Sequence, residues 1–169
     1  MLIRPALPQE TQIMQAIELD AAKSYAALPG YGFSVVLPAR SDDEHAFARE
    51  HGARFVVDID GAVGGFIMVI PLDHAAHIFE AAVLAEYQGR GIGKKLVSVA
   101  ENYAREQGYK EMTLTTYRDV PWNAPFYARL GYEAFVPDGD RPQMRGLIAD
   151  EVEQGFAVTP RVAMRKVLI

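Results

Sequence analysis

Val83-Leu84-Ala85-Glu86-Tyr87-Gln88-Gly89-Arg90-Gly91-Ile92-Gly93-Lys94 is the stretch that decides how this chain folds. An apolar strand end runs into a turn with glycine at 89, 91 and 93. The turn opens a segment in which Ile92, Leu96, Val99, Ala100, Tyr103 and Ala104 form one apolar stripe at helical spacing, stopped by Gly108. Glycine leaves the backbone unshielded and free to take unusual dihedrals. Successive N–H groups can therefore converge on a pyrophosphate at the positive end of the helix. Arg90, Lys94 and Lys95 add positive charge nearby.

Two familiar phosphate loops do not fit this turn. A Walker loop needs Gly-x-x-x-x-Gly-Lys followed by Ser or Thr, but Gln88 stands at the first glycine position and Lys95 at the hydroxyl position. A dinucleotide fold needs Gly-x-Gly-x-x-Gly after the first strand of a βαβ unit. Here the spacing is Gly-x-Gly-x-Gly, and a hairpin precedes it.

Working outward, Phe55 to Ile59 and Gly65 to Ile70 are β-branched apolar runs separated by Asp60-Gly61, a signal for an antiparallel hairpin. Ala76 to Val83 is a further strand. Upstream, Leu2 to Arg4 reads as an opening strand. Ile13, Met14, Ile17, Ala21 and Ala22 predict a helix that ends near Leu28-Pro29-Gly30. Ser41-Asp42-Asp43-Glu44 has the form of a capping box and predicts a helix running to His51-Gly52. Downstream follow a strand at Glu111 to Thr116, a short helix at Asn123 to Leu130, a strand at Tyr132 to Val136, a helix at Pro142 to Gln154 and a last strand at Val162 to Val167. The order β-α-α-β-β-β-α-β-α-β-α-β predicts an α+β fold, a mixed sheet flanked by helices, in a single domain spanning residues 1–169.

Composition narrows the function. Half of the 169 residues are apolar, 23% are charged and the formal net charge is -5, so the field that gathers nucleic acid is absent. There is no cysteine, which excludes disulfides, thiolate metal sites and a cysteine nucleophile. Met1 to Gln9 carries Arg4, Pro5 and Pro8 in place of a continuous apolar stretch, and no apolar run approaches the ~18 residues of a membrane span. The expectation is a cytoplasmic protein with no membrane or nucleic-acid partner.

Gln88-Gly89-Arg90-Gly91-Ile92-Gly93 resembles the acetyl-CoA loop of the GCN5-related N-acetyltransferase (GNAT) superfamily, Gln/Arg-x-x-Gly-x-Gly/Ala. The likeness extends to Asn123-Ala124-Pro125-Phe126-Tyr127-Ala128-Arg129-Leu130-Gly131-Tyr132, similar to the family's second motif, and covers roughly residues 55 to 136. Ala85 departs from the proline that many members carry.

The resemblance implies a central, mostly antiparallel twisted sheet and acetyl-CoA as acyl donor. It implies that Gln88, Gly89, Arg90, Gly91, Ile92, Gly93 and Lys94 hold the cofactor. Unpaired backbone groups of Ala82, Val83 and Leu84 would bind the pantetheine arm like an added strand, one amide serving as the oxyanion site. Asn123 falls at the family's asparagine near the thioester, although a plain helix N-cap explains it equally. Tyr127 is the implied general acid: a thiolate leaving group of pKa about 8.5 gains from a phenol of pKa about 10, and the alternative is a core tyrosine.

The attacking amine arrives protonated and needs a base. Glu80 shares a strand face with Ala82 and is the candidate; its alternative is a solvated carboxylate. His74 and His77 rank below it as exposed turn histidines. A metal at Asp73, His74 and His77 is not expected, because this acyl transfer needs none. The loop Tyr25 to Pro38 between the first two helices supplies Tyr25, Tyr31 and Phe33 as acceptor-lining rings, unless they only cover the core edge. Trp122 either shapes the site or seals the short helix.

The expected activity is direct transfer of acetyl to the primary amine of a small molecule, without an acyl-enzyme. A protein or peptide acceptor, and a non-catalytic acyl-CoA sensor, are the rival readings. The assembly state, monomer or homodimer, stays open.

Overall fold

A computed structural model describes residues 1–154 and 160–169. Its elements are β1 (Leu2–Pro5), α1 (Thr11–Ala22), α2 (Asp42–His51), β2 (Ala53–Ile59), β3 (Ala62–Leu72), β4 (Ala75–Val83), α3 (Ile92–Glu106), β5 (Glu111–Tyr117), α4 (Ala124–Arg129), β6 (Glu133–Phe135), α5 (Pro142–Glu153) and β7 (Arg161–Val167). Among the described residues the strands form a mixed sheet in the order β1-β2-β3-β4-β5-β7-β6. It is parallel at β4–β5 and antiparallel at β1–β2, β2–β3, β5–β7 and β7–β6. The order of helices and strands is the one read from the sequence.

The end of the first helix is different. α1 stops at Ala22, and a tighter 3-10 segment, Lys23–Ala27, takes over. Ser24 Oγ turns back to the Ala21 carbonyl at 2.7 Å, the competition by which serine weakens a helix end. Pro29 further disfavours helical dihedrals at Leu28, which is extended at ψ 125°.

One compact unit comprises Met1–Ile70 and Phe79–Tyr103. Its core gathers Met14 and Ile17 of α1, Ala48 of α2, Val56 of β2, Phe66, Met68 and Ile70 of β3, and Ala82 of β4. The period-2 alternation of strands puts Val56 on this face and Phe55 on the other, where its ring meets Tyr103 of α3 edge-on at 5.9 Å. Each fully buried Met or Phe side chain contributes roughly 1.5–3 kcal/mol.

Asp60 and Gly61, at φ 54° and 90°, make the two-residue turn between β2 and β3, with Ile59 opposite Ala62. Ser41 and Glu44 close the predicted capping box: Ser41 Oγ accepts from the Glu44 amide, and the Ser41 amide donates to Glu44 Oε2.

The second unit comprises Pro71–Ile78 and Ala104–Ile169. Ala76, His77 and Ile78 of β4 pair with Met112, Thr113 and Leu114 of β5, and β7 pairs on to β5 and β6. Asp73 caps α5: Oδ1 and Oδ2 accept from the amides of Gln143 and Met144, both at 3.0 Å. Glu151 of α5 binds Arg161 of β7 and accepts from Thr115 Oγ1 of β5, a half-buried network that fastens this helix to two strands.

Candidate active site

β4 ends at Val83, a single 3-10 turn covers Ala85–Tyr87, and α3 begins at Ile92, whose side chain is buried and pins the helix start. Gly89 and Gly91 both sit at φ +74°. A Cβ at either would meet no other atom within 4 Å, so backbone conformation, not lack of room, calls for glycine there. Space is left above the turn at the start of α3.

Gln88, Lys94 and Lys95 are exposed. The Gln88 side-chain amide donates to the Val83 carbonyl at 3.0 Å and closes the loop on the strand end. Arg90 donates to the Glu86 carbonyl at 2.9 Å and lies 5.3 Å from the Tyr87 ring centroid.

One sequence expectation needs correction. The Leu84 amide, expected to be unpaired for the pantetheine arm, donates to the Gly64 carbonyl at 3.0 Å. Gly64 and Gly65 of β3 allow this approach: a Cβ on Gly65 would stand 2.9 Å from the Ala82 carbonyl oxygen, and one on Gly64 would stand 2.7 Å from the Tyr87 ring. The ladder to β5 covers only Ala76 to Ile78, so Ala82 and Val83 lie beyond it.

Glu80 is half-buried and faces charge. Its Oε2 accepts from Arg40 Nε at 3.4 Å, and its Oε1 accepts from the Ala81 amide at 3.2 Å. Arg40 also donates to Glu44 Oε1 at 3.0 Å and to the Phe79 carbonyl at 3.3 Å, with its guanidinium 4.0 Å from the Phe79 ring centroid. The Arg40 backbone amide donates to both oxygens of Glu18, at 3.2 and 3.0 Å. Glu44 and Glu80 therefore pair with the guanidinium, while Glu18 rests on the backbone amide of the same residue. Burial, together with the charge of Glu80, pushes the Glu18 carboxyl up to about 8. Glu18 and Arg40 were not singled out from the sequence, where Glu44 figures only as part of the capping box; no local signal joins the three to Glu80.

In the same unit, Tyr25 and Tyr31 stack with ring centroids 6.4 Å apart, and Phe33 lies on the next turn of chain. In the second unit, Asn123 occupies the N-cap position of α4, but its side chain does not cap. Instead its amide donates to Thr116 Oγ1 at 2.7 Å and fastens the helix start to β5. Tyr127 packs edge-on against Phe126 at 5.1 Å and Tyr132 at 5.6 Å, which sets its ring plane. Trp122 is 44% exposed.

His74 is exposed at the β3–β4 turn. His77 is not: it lies on β4, 1% exposed, with Nδ1 at 2.9 Å from Thr113 Oγ1. Its place in the interior ladder corrects the turn reading. Among the described residues no group of three His, Cys, Asp or Glu side chains is placed to hold a metal, and no helix is long and apolar enough to cross a membrane. A hollow of about 500 Å³ in the second unit, lined by His74, Phe135, Asp138, Asp140 and Arg141 among others, includes His74 but none of the other candidate residues.

The family model for the acetyltransferase (GNAT) family matches residues 17–132, more than half of the chain. This chain belongs to that family. The matched span holds the second half of α1 from Ile17, the glycine turn, α3 and the Asn123–Tyr132 segment. A curated GNAT-type relative, the S-alkylcysteine N-acetyltransferase of Bacillus subtilis, is 31% identical over 104 residues, covering 54% of this chain and 58% of its own.

Solved structures share the GNAT fold. The ribosomal-protein-S18-alanine N-acetyltransferase of Escherichia coli superposes with TM-score 0.67 at 18% identity, over 99% of this chain and 93% of the other. The PaiA N-acetyltransferase of Thermoplasma acidophilum, solved with coenzyme A, gives 0.63 at 16% identity, over 98% of each chain. This chain spans about half the length, or less, of several curated relatives: 36% of one from Rattus norvegicus and 52% of one from Methanocaldococcus jannaschii.

Proposed function

We propose that this chain transfers the acetyl group of acetyl-CoA to the primary amine of a small molecule, by direct attack within a ternary complex. The observation that carries the reading is the Gly89–Gly91 cradle at the start of α3, inside a span that matches the GNAT family model. Its amides, with Gln88, Arg90 and Lys94 alongside, hold the diphosphate. The Ala82 and Val83 backbone, beyond the β5 ladder, receives the pantetheine arm, with one of these amides as oxyanion donor.

In the reaction the amine nitrogen adds to the thioester carbonyl carbon, forming C–N. Glu80 takes the ammonium proton, and the C–S bond breaks. Tyr127 gives its phenolic proton to the departing thiolate, and Asn123 orients the arm near the thioester. Tyr25, Tyr31 and Phe33 line the acceptor's path.

The acidic surroundings of Arg40 suit a cationic acceptor, and the S-alkylcysteine acceptor named for the Bacillus subtilis relative supports a small molecule over a protein. Calorimetry with acetyl-CoA, followed by thiol release against polyamines, amino acids, S-alkylcysteines, aminoglycosides and N-terminal peptides, tests both parts. Binding plus turnover of a small amine is the expected result. Turnover of peptides alone overturns the acceptor class, binding with no turnover makes the chain a sensor, and no binding removes the proposal.

A further inference from the structure

Arg40 stands immediately before the capping box of α2, where the acceptor-side segment ends, and its contacts reach three elements. Its guanidinium meets Glu80 and the Phe79 carbonyl on β4 and Glu44 on α2; its backbone amide meets Glu18 on α1; and its carbonyl accepts from Gln15 on α1 at 2.9 Å. Phe79 stacks beneath the guanidinium plane and covers the face that water would otherwise occupy. An arginine fixed at this many points has little freedom left, so a carboxylate resting on its Nε is held in place too.

The charged groups around it are Glu18 from α1, Glu44 from α2 and Glu80 from β4, three carboxylates against one cation. Such a set cannot stay fully ionised without cost, because like charges in a half-buried site oppose each other. The Glu18 carboxyl, raised to about 8, is where the proton goes, while Glu44 is held below its ordinary value, burial opposing but its bonds from Ser41 and Arg40 prevailing.

We propose that Arg40 is a positioning residue, which fixes the rotamer of the Glu80 carboxylate so that Glu80 can take the acceptor amine's proton. The inference rests on the reading of Glu80 as base. Arg40 itself touches neither the amine nor the thioester; it acts through Glu80.

Crystal structures of the full-length wild type and Arg40→Met test the clamp directly. In Arg40→Met the Glu80 side chain is expected to leave the rotamer it holds in wild type, and Arg40→Lys restores part of the order. Turnover is measured alongside with acetyl-CoA and two probe amines, spermidine and S-methylcysteine. There kcat should fall about tenfold or more, with acetyl-CoA affinity unchanged.

The same Glu80 rotamer in wild type and Arg40→Met overturns the inference, and Arg40→Lys answers the question if the methionine variant does not fold. Full activity of Glu80→Gln, with the Glu80 side chain still released in Arg40→Met, sinks the base assignment while the clamp survives. If neither amine turns over, the Glu80 rotamer alone decides for or against Arg40.

Discussion

His45 offers the sharpest physical prediction. The side chain is 0% exposed on α2, beside Arg54 of β2 at 4%. Arg54 Nη1 reaches Thr11 Oγ1 at 2.8 Å and His45 Nδ1 at 3.3 Å. A guanidinium only donates, so Nδ1 must accept and the ring's proton belongs on Nε2. That nitrogen is buried with no hydrogen-bond partner among the described residues. A second proton on Nδ1 would set two donors face to face beside a buried cation. Burial and the Arg54 charge accordingly lower the imidazole from its ordinary 6.5 to about 4.

The sign follows from linkage. Below 6.5 the unfolded chain takes up a proton that the folded chain refuses until about 4, so stability rises with pH across this window and is lost as pH falls through it. Between pH 7 and pH 5 the loss from this one group is about 2 kcal/mol, and by pH 4 about 3 kcal/mol. Glu10, lowered mainly by its hydrogen bond from Arg4, adds a loss of its own only below its ordinary 4.5. Urea unfolding at pH 7, 6 and 5 should therefore show wild type losing about 2 kcal/mol more than His45→Gln, which keeps an acceptor for Arg54 but does not titrate. Equal losses in the two proteins would refute the reasoning.

Other perturbations act on single links. Tyr127→Phe and Glu80→Gln should each lower kcat by about 100-fold or more with an identified acceptor, while calorimetry finds acetyl-CoA affinity unchanged. Gly91→Val forces a β-branched residue to φ +74°, at a cost of about 1–2 kcal/mol. Either thermal stability falls by that amount or the loop rearranges, and acetyl-CoA binding should weaken about tenfold in calorimetry. Asp73→Ala removes both acceptors from the first turn of α5 and should cost about 1 kcal/mol in urea unfolding, without altering acetyl-CoA binding.

The order of elements was legible because each carries its own punctuation. Asp60-Gly61 can adopt positive φ at both positions, Ser41 and Glu44 satisfy each other's amides, and the stripe from Ile92 to Ala104 buries one face of α3. All of these are relations within a few residues. The glycine turn before α3 was legible for the same reason, since Gly89 and Gly91 state a backbone requirement in place. What could not be read depends on distance along the chain. Arg40 meets Glu18 across 22 residues and Glu80 across 40, and nothing in the composition of either neighbourhood selects the partner. Leu84 looked free because its acceptor, Gly64, belongs to another strand. His77 looked like an exposed turn residue although the strand from Ala76 contained it, because its buried partner, Thr113 of β5, lies 36 residues away.

The two buried arginine settings in the first unit show why the unread part is the chemically decisive one. Arg54 is given neutral partners, Thr11 Oγ1, the Leu7 carbonyl and His45, and that choice depresses a histidine and ties fold stability to pH. Arg40 stands among carboxylates, and there burial and the charge of Glu80 raise Glu18 although Arg40 itself pulls the other way, while Glu80 is left beside a fixed cation. Both arginines lower the proton affinity of what they touch, and the outcome differs with what else the fold brings to the site. A glycine turn states its backbone requirement within a few residues, but which carboxyl near Arg40 holds a proton is decided by contacts that exist only after α1, α2 and β4 have packed.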